Sequence, residues 1–74
     1  MRQSVRVKFT IENDREIDGR WICEIPELPG VMAYGRTRKS AIASAQALAL
    51  RVIADRLEHG EIEGKPVELR FEAP

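Results

Sequence analysis

Residues 18 to 35 read Asp-Gly-Arg-Trp-Ile-Cys-Glu-Ile-Pro-Glu-Leu-Pro-Gly-Val-Met-Ala-Tyr-Gly, and this stretch decides the fold. Asp18-Gly19 is a turn that feeds an apolar strand, Arg20 to Ile25. Trp21, Cys23 and Ile25 share one face, and Ile22 is apolar on the other, which marks a strand that is central or covered on both faces. Pro26 has no N–H for a ladder, so pairing stops there. Pro29-Gly30 supplies a tight turn into a short third strand, Val31 to Tyr34, whose length suits a sheet edge.

Working outward toward the N-terminus, residues 4 to 12 alternate strictly. Val5, Val7, Phe9 and Ile11 point one way, and Ser4, Arg6, Lys8, Thr10 and Glu12 the other, as in a strand with one wet face. Asn13 to Gly19 is polar and reads as a hairpin connection. Toward the C-terminus, Thr37 is an N-cap and a helical pattern runs to about His59. Its apolar stripe is Ile42, Ala45, Ala49, Val52, Ile53 and Leu57, widened by Leu48 and Leu50. Alanines 41, 45 and 49 let the helix lie close on a sheet, and Gly60 can take the C-cap. After a linker from Glu61 to Pro66, residues 67 to 72 alternate again, with Val67, Leu69 and Phe71 inward.

The order strand, strand, strand, helix, strand predicts a single α+β domain over residues 1–74. Three strands form an antiparallel meander, and a right-handed helical crossover sets the fourth beside the first and parallel to it. The spatial order is 3-2-1-4, with the helix on one face. On the open face, Arg6 and Lys8 can meet Glu68 and Glu72.

The bulk numbers bound the function. A chain of 74 residues buries a modest core and gains from self-association. One cysteine, Cys23, excludes an internal disulfide, and no Cys/His spacing suits zinc. Twelve basic residues balance twelve acidic ones, which argues against a dedicated nucleic-acid binder. No apolar run approaches the roughly 18 residues of a membrane span. The first residues carry no apolar signal-peptide core, so a cytoplasmic protein is expected.

The run Asp18-Gly19-x-Trp21-x-x-x-Ile25-Pro26-x-Leu28-Pro29-Gly30-Val31, followed by Tyr34-Gly35-x-Thr37 and Ala41, resembles the N-terminal domain of HicB-type antitoxins. The resemblance covers essentially the whole chain. It implies a partly degraded RNase H-like fold that neutralises a small HicA-type toxin ribonuclease by binding it, commonly as a dimer or larger oligomer. Two departures stand out. Members of that family usually carry a C-terminal DNA-binding segment, and this sequence runs only to Pro74, so direct DNA binding is not expected. Residues 38 to 40 are Arg-Lys-Ser where the family often has acids, which sets positive charge at the positive end of the helix dipole.

Catalysis finds no residues. The polar face of the first strand offers Arg6, Lys8 and Thr10, with no carboxylate before Glu12, so the metal-holding acids of an RNase H-type nuclease are missing there. His59 reads as a solvated last-turn residue, and Cys23 as a small buried hydrophobe. No cofactor or metal is expected. A basic cluster of Arg36, Arg38, Lys39 and Arg51 reads as a solvated face.

Binding has more to stand on. Ile22, Met32 and Tyr34 put apolar surface on the face away from the helix, and Pro26-Glu27-Leu28 forms a stiff loop with Leu28 at least half-exposed. With Asp18, Glu24 and Glu27 as acids facing a basic toxin, these are the expected interface residues. The expectation is a non-catalytic antitoxin module that itself forms a homodimer or tetramer. The alternative is an orphan homo-oligomeric domain, structural or holding a small molecule between subunits, with no toxin.

Overall fold

The computed structural model describes residues 4–62 and 66–73. The linker's residues 63–65 lie outside the described part. Five strands and one helix follow in the order β1 (Val5–Thr10), β2 (Glu12–Arg15), β3 (Trp21–Glu24), β4 (Met32–Gly35), α1 (Arg38–Glu58) and β5 (Val67–Glu72). The α+β class, the antiparallel meander and the parallel last strand all appear. The single four-stranded sheet does not.

Two sheets take its place. β1 pairs with β5 alone, in parallel, with Val5 opposite Val67 and Phe9 opposite Phe71. β2, β3 and β4 form the antiparallel sheet, with Glu12 opposite Glu24 and Ile22 opposite Tyr34. The long first strand therefore divides at Ile11 between two partners. The cause lies in β3, which ends at Glu24 just ahead of Pro26 and so never reaches β1. At the vacated edge the Thr10 N–H and Oγ1–H instead donate to the Glu27 carboxylate, at 2.8 and 2.6 Å. The first strand also runs further than its alternation suggests, to Arg15, and the hairpin loop shortens accordingly.

Pro26 to Gly30 folds as two successive turns. The Leu28 N–H donates to the Ile25 carbonyl and the Val31 N–H to the Leu28 carbonyl, both at 2.9 Å. Gly30 has φ +90°, which a Pro-Gly type II turn demands at its third position. This geometry turns Leu28 inward, where it is 2 % exposed, so the expected exposed loop tip is corrected: Leu28 is core.

The helix is capped as read. Thr37 Oγ1 accepts from the Ser40 N–H at 3.0 Å, and Ser40 Oγ accepts from the Thr37 N–H at 3.2 Å, a capping box closed by Ser instead of the usual Glu or Gln. Ala41, Ala45, Ala49 and Ile53 are buried against β3 and β4. The buried stripe is narrower than the periodicity suggests, for Leu50 and Leu57 are exposed and Ile42, Leu48 and Val52 only half-buried. The alanine row brings the helix so close that a Cβ on Gly35 would stand 2.5 Å from the Ala41 nitrogen. Phe9, Ile11, Cys23, Ile25, Leu28 and Val31 complete the core.

The β1–β5 ribbon joins this body through Phe9, with Val7, Leu69 and Phe71 packed against the core, and lengthens the molecule. The Cα extents are 49 × 24 × 17 Å and the radius of gyration is 13.9 Å. A compact chain of this length has about 11 Å. On the ribbon's polar face Arg6 meets Glu68 at 3.2 Å and Lys8 meets Glu72 at 3.0 Å, the pairs expected from the alternation.

Candidate functional site

Side-chain alternation places the site on the face of the β2–β3–β4 sheet turned away from the helix. Cys23, which is fully buried, and Ala33, which packs on the core, fix the inner face. Their neighbours in each strand are then outward. The ladder registers align these outward residues in two cross-strand rows: Glu12–Glu24–Met32, and Asp14–Ile22–Tyr34. Met32 and Tyr34, on the edge strand β4, are each 45 % exposed. Glu12, Asp14, Ile22 and Glu24 line a surface hollow beside them.

Acids predominate on this face, where the cation at its margin, Arg20, is paired with Asp18. None of the carboxylates of Glu12, Asp14 and Glu24 is in an ion pair with another described residue. Glu12 stands directly opposite Glu24, and like charges so placed on adjacent strands repel. Among the described residues, no group of His, Cys, Asp and Glu is arranged to hold a metal ion. What the face offers chemically is negative potential around an apolar patch.

The expected interface residues divide into those this face collects and those it does not. Ile22, Glu24, Met32 and Tyr34 come together on it. Asp18 lies at its margin, where its carboxylate accepts from Arg20 Nε at 2.8 Å and from the Arg20 N–H at 3.1 Å. Those hydrogen bonds, the backbone one foremost, hold the Asp18 carboxyl below its ordinary pKa. Arg20 in turn stacks 4.7 Å above the Tyr34 ring, so the Asp18 charge is already answered within the chain. Pro26 is exposed on its loop. Glu27 is spent on Thr10, whose side-chain and backbone donors lower its pKa, and Leu28 is interior.

Glu12 and Asp14 are the members that sequence reading missed, Glu12 as a site residue and Asp14 as a strand residue at all. The signal existed: even-numbered residues continue one face from Arg6 through Thr10, Glu12 and Asp14. It was masked because Asn13 and Arg15 put polar side chains at inward positions. Arg15 is tolerated there by stacking 5.7 Å from the Trp21 ring, whereas the Asn13 Oδ1 is buried with no hydrogen-bond partner among the described residues.

Comparison with known proteins adds nothing further: no family model, no curated protein and no solved structure matches this chain. Among the described residues, no helix is long and apolar enough to cross a membrane.

Proposed function

We propose that this chain is a non-catalytic protein-binding module, a HicB-type antitoxin domain on a reduced RNase H-like frame. It acts in the cytoplasm by sequestering a small, basic, mRNA-cleaving toxin of the HicA type. The observation that carries this reading is Glu12 opposite Glu24 with Asp14 alongside, three carboxylates with no ion-pair partner among the described residues, bordering Ile22, Met32 and Tyr34. A like-charge cross-strand pair costs the free protein stability, and a cationic partner removes that cost on docking. A basic RNA-binding surface is such a partner, and covering it inhibits the ribonuclease sterically and electrostatically. Ile22, Met32 and Tyr34 give the contact an apolar side toward β4, and the acids a charged side toward β2.

The test is affinity capture of the tagged chain from its native lysate, followed by titration of the captured partner with Glu12→Lys/Glu24→Lys. The proposal expects a stoichiometric small basic protein, held less tightly by the variant, with the larger difference at low salt. Recovery of the chain alone would defeat it in favour of the orphan oligomer, and a partner indifferent to both substitutions would defeat the acidic face as its site.

A further inference from the structure

β5 carries a free edge whose sequence is complementary to itself. Parallel strands are normally covered and flanked, and an isolated two-stranded ribbon is marginal in water. Here β5 has β1 as its one neighbour among the described strands. The Val5 N–H donates to the Pro66 carbonyl and the Ile11 N–H to the Glu72 carbonyl, each at 2.8 Å. Even-numbered residues of β5 therefore bond to β1, and the backbone groups of Val67, Leu69 and Phe71 point out from the edge.

From this geometry we infer that two copies of the chain associate through β5, antiparallel about a two-fold axis at Leu69. In that register Leu69 faces Leu69 of the second copy, Val67 faces Phe71, and each of these pairs exchanges both of its outward hydrogen bonds. Glu68 falls opposite Arg70 of the second copy, and Arg70 opposite Glu68. From Val67 to Phe71 every cross-strand pair is apolar with apolar or acid with base, and Glu72 falls opposite Pro66, just outside the strand. The neighbouring antiparallel register, centred on Arg70, sets Arg70 against itself and Glu68 against Glu72, so charge selects the first. A parallel arrangement is not related by a closed two-fold.

Arg70 is available for the role. Its side chain is 77 % exposed and its contact within the chain, to Glu72, is long at 3.7 Å. Glu68 already holds Arg6, so Arg70 of the second copy extends that pair into a row of alternating charges. A net charge of zero leaves no overall repulsion to oppose assembly. The axis stands perpendicular to the sheet, so both helices lie on one side and both acidic outer faces on the other. The interface is remote from the proposed toxin site and does not rest on that reading.

Sedimentation equilibrium over a concentration series tests it. The chain is expected to reach twice its 8.4 kDa mass. Glu68→Arg alone and Arg70→Glu alone should each weaken association about tenfold, since each sets two like-charge pairs in the register. The double exchange Glu68→Arg/Arg70→Glu restores opposite charges across the axis and should recover dimer. Both Glu68→Arg proteins lose the Arg6 contact equally, so recovery reads the interface and not the fold. A monomer at every concentration, or a dimer that ignores the single exchanges, overturns the inference.

Discussion

The carboxylate of Glu27 grips Thr10 at two points, taking the backbone N–H at 2.8 Å and the hydroxyl at 2.6 Å. A side chain from the proline loop thus stands in for the strand that β1 lacks on that edge. The charged form is the one favoured, which is why the Glu27 pKa falls below its ordinary 4.5. A carboxyl whose folded pKa is depressed stabilises fully above its unfolded value and loses that contribution as pH falls through the folded one. Urea unfolding of the wild type and Glu27→Gln should therefore differ at neutral pH, with the wild type more stable. The difference should shrink below about pH 4.5 as Glu27 protonates. A gap that stays constant down the acid limb would show that the charge plays no part.

Gly35 is fixed by proximity. Its φ is ordinary, yet a methyl there would stand 2.5 Å from the Ala41 nitrogen and 2.9 Å from its Cα, both backbone atoms that cannot rotate away. Gly35→Ala should force α1 off β4 and destabilise by about 1–3 kcal/mol. Chemical denaturation with an unchanged slope measures this.

Relief is expected at Asn13. Its buried, unpaired Oδ1 carries a desolvation penalty, and the position is in a strand beside Cys23. Asn13→Val removes the oxygen and adds a β-branched side chain, and should stabilise by about 1 kcal/mol. A loss of stability instead would mean that the amide has a partner in solution.

The acidic face sets function against stability. Glu24→Lys converts the repulsion with Glu12 into attraction and should raise the stability of the free chain by roughly 0.2–1 kcal/mol. The same substitution should weaken capture of a basic partner. Thermal denaturation and partner titration on one preparation read both effects, and a variant that loses stability contradicts the like-charge account.

Cys23 should be silent to thiol reagents in the native state. It is fully buried, and desolvation, with the Glu24 charge beside it, pushes its pKa up. Labelling by an aromatic disulfide should follow global unfolding and accelerate with urea. Rapid labelling in buffer would place a local opening at β3.

Much of this fold was legible because its signals are local. Pro26 ended β3, Thr37 opened the helix, and strict alternation from Val67 to Glu72 drew β5 to the residue. What escaped was long-range or depended on turn geometry. No pattern in residues 4 to 12 announces that the strand changes partners at Ile11, because that follows from how short β3 is. Leu28 between two prolines looks like a tip, and only the paired turns around it send the side chain inward. The outward Ile22, Met32 and Tyr34 were readable from parity. Glu12 was also readable as the last outward residue of the alternating run, but Asp14 was not, since polar residues on both faces of β2 erase the alternation.

The division of the first strand also orders events in time. β2, β3, β4 and α1 are joined by near-neighbour contacts and can assemble without waiting for either end of the chain. The β1–β5 pair closes a loop of nearly the whole sequence, with Arg6 and Glu68 62 positions apart. Such closure is paid for in chain entropy before any contact rewards it. The ribbon is accordingly expected to form last and to exchange its amide protons first, a clasp between the two ends of the chain.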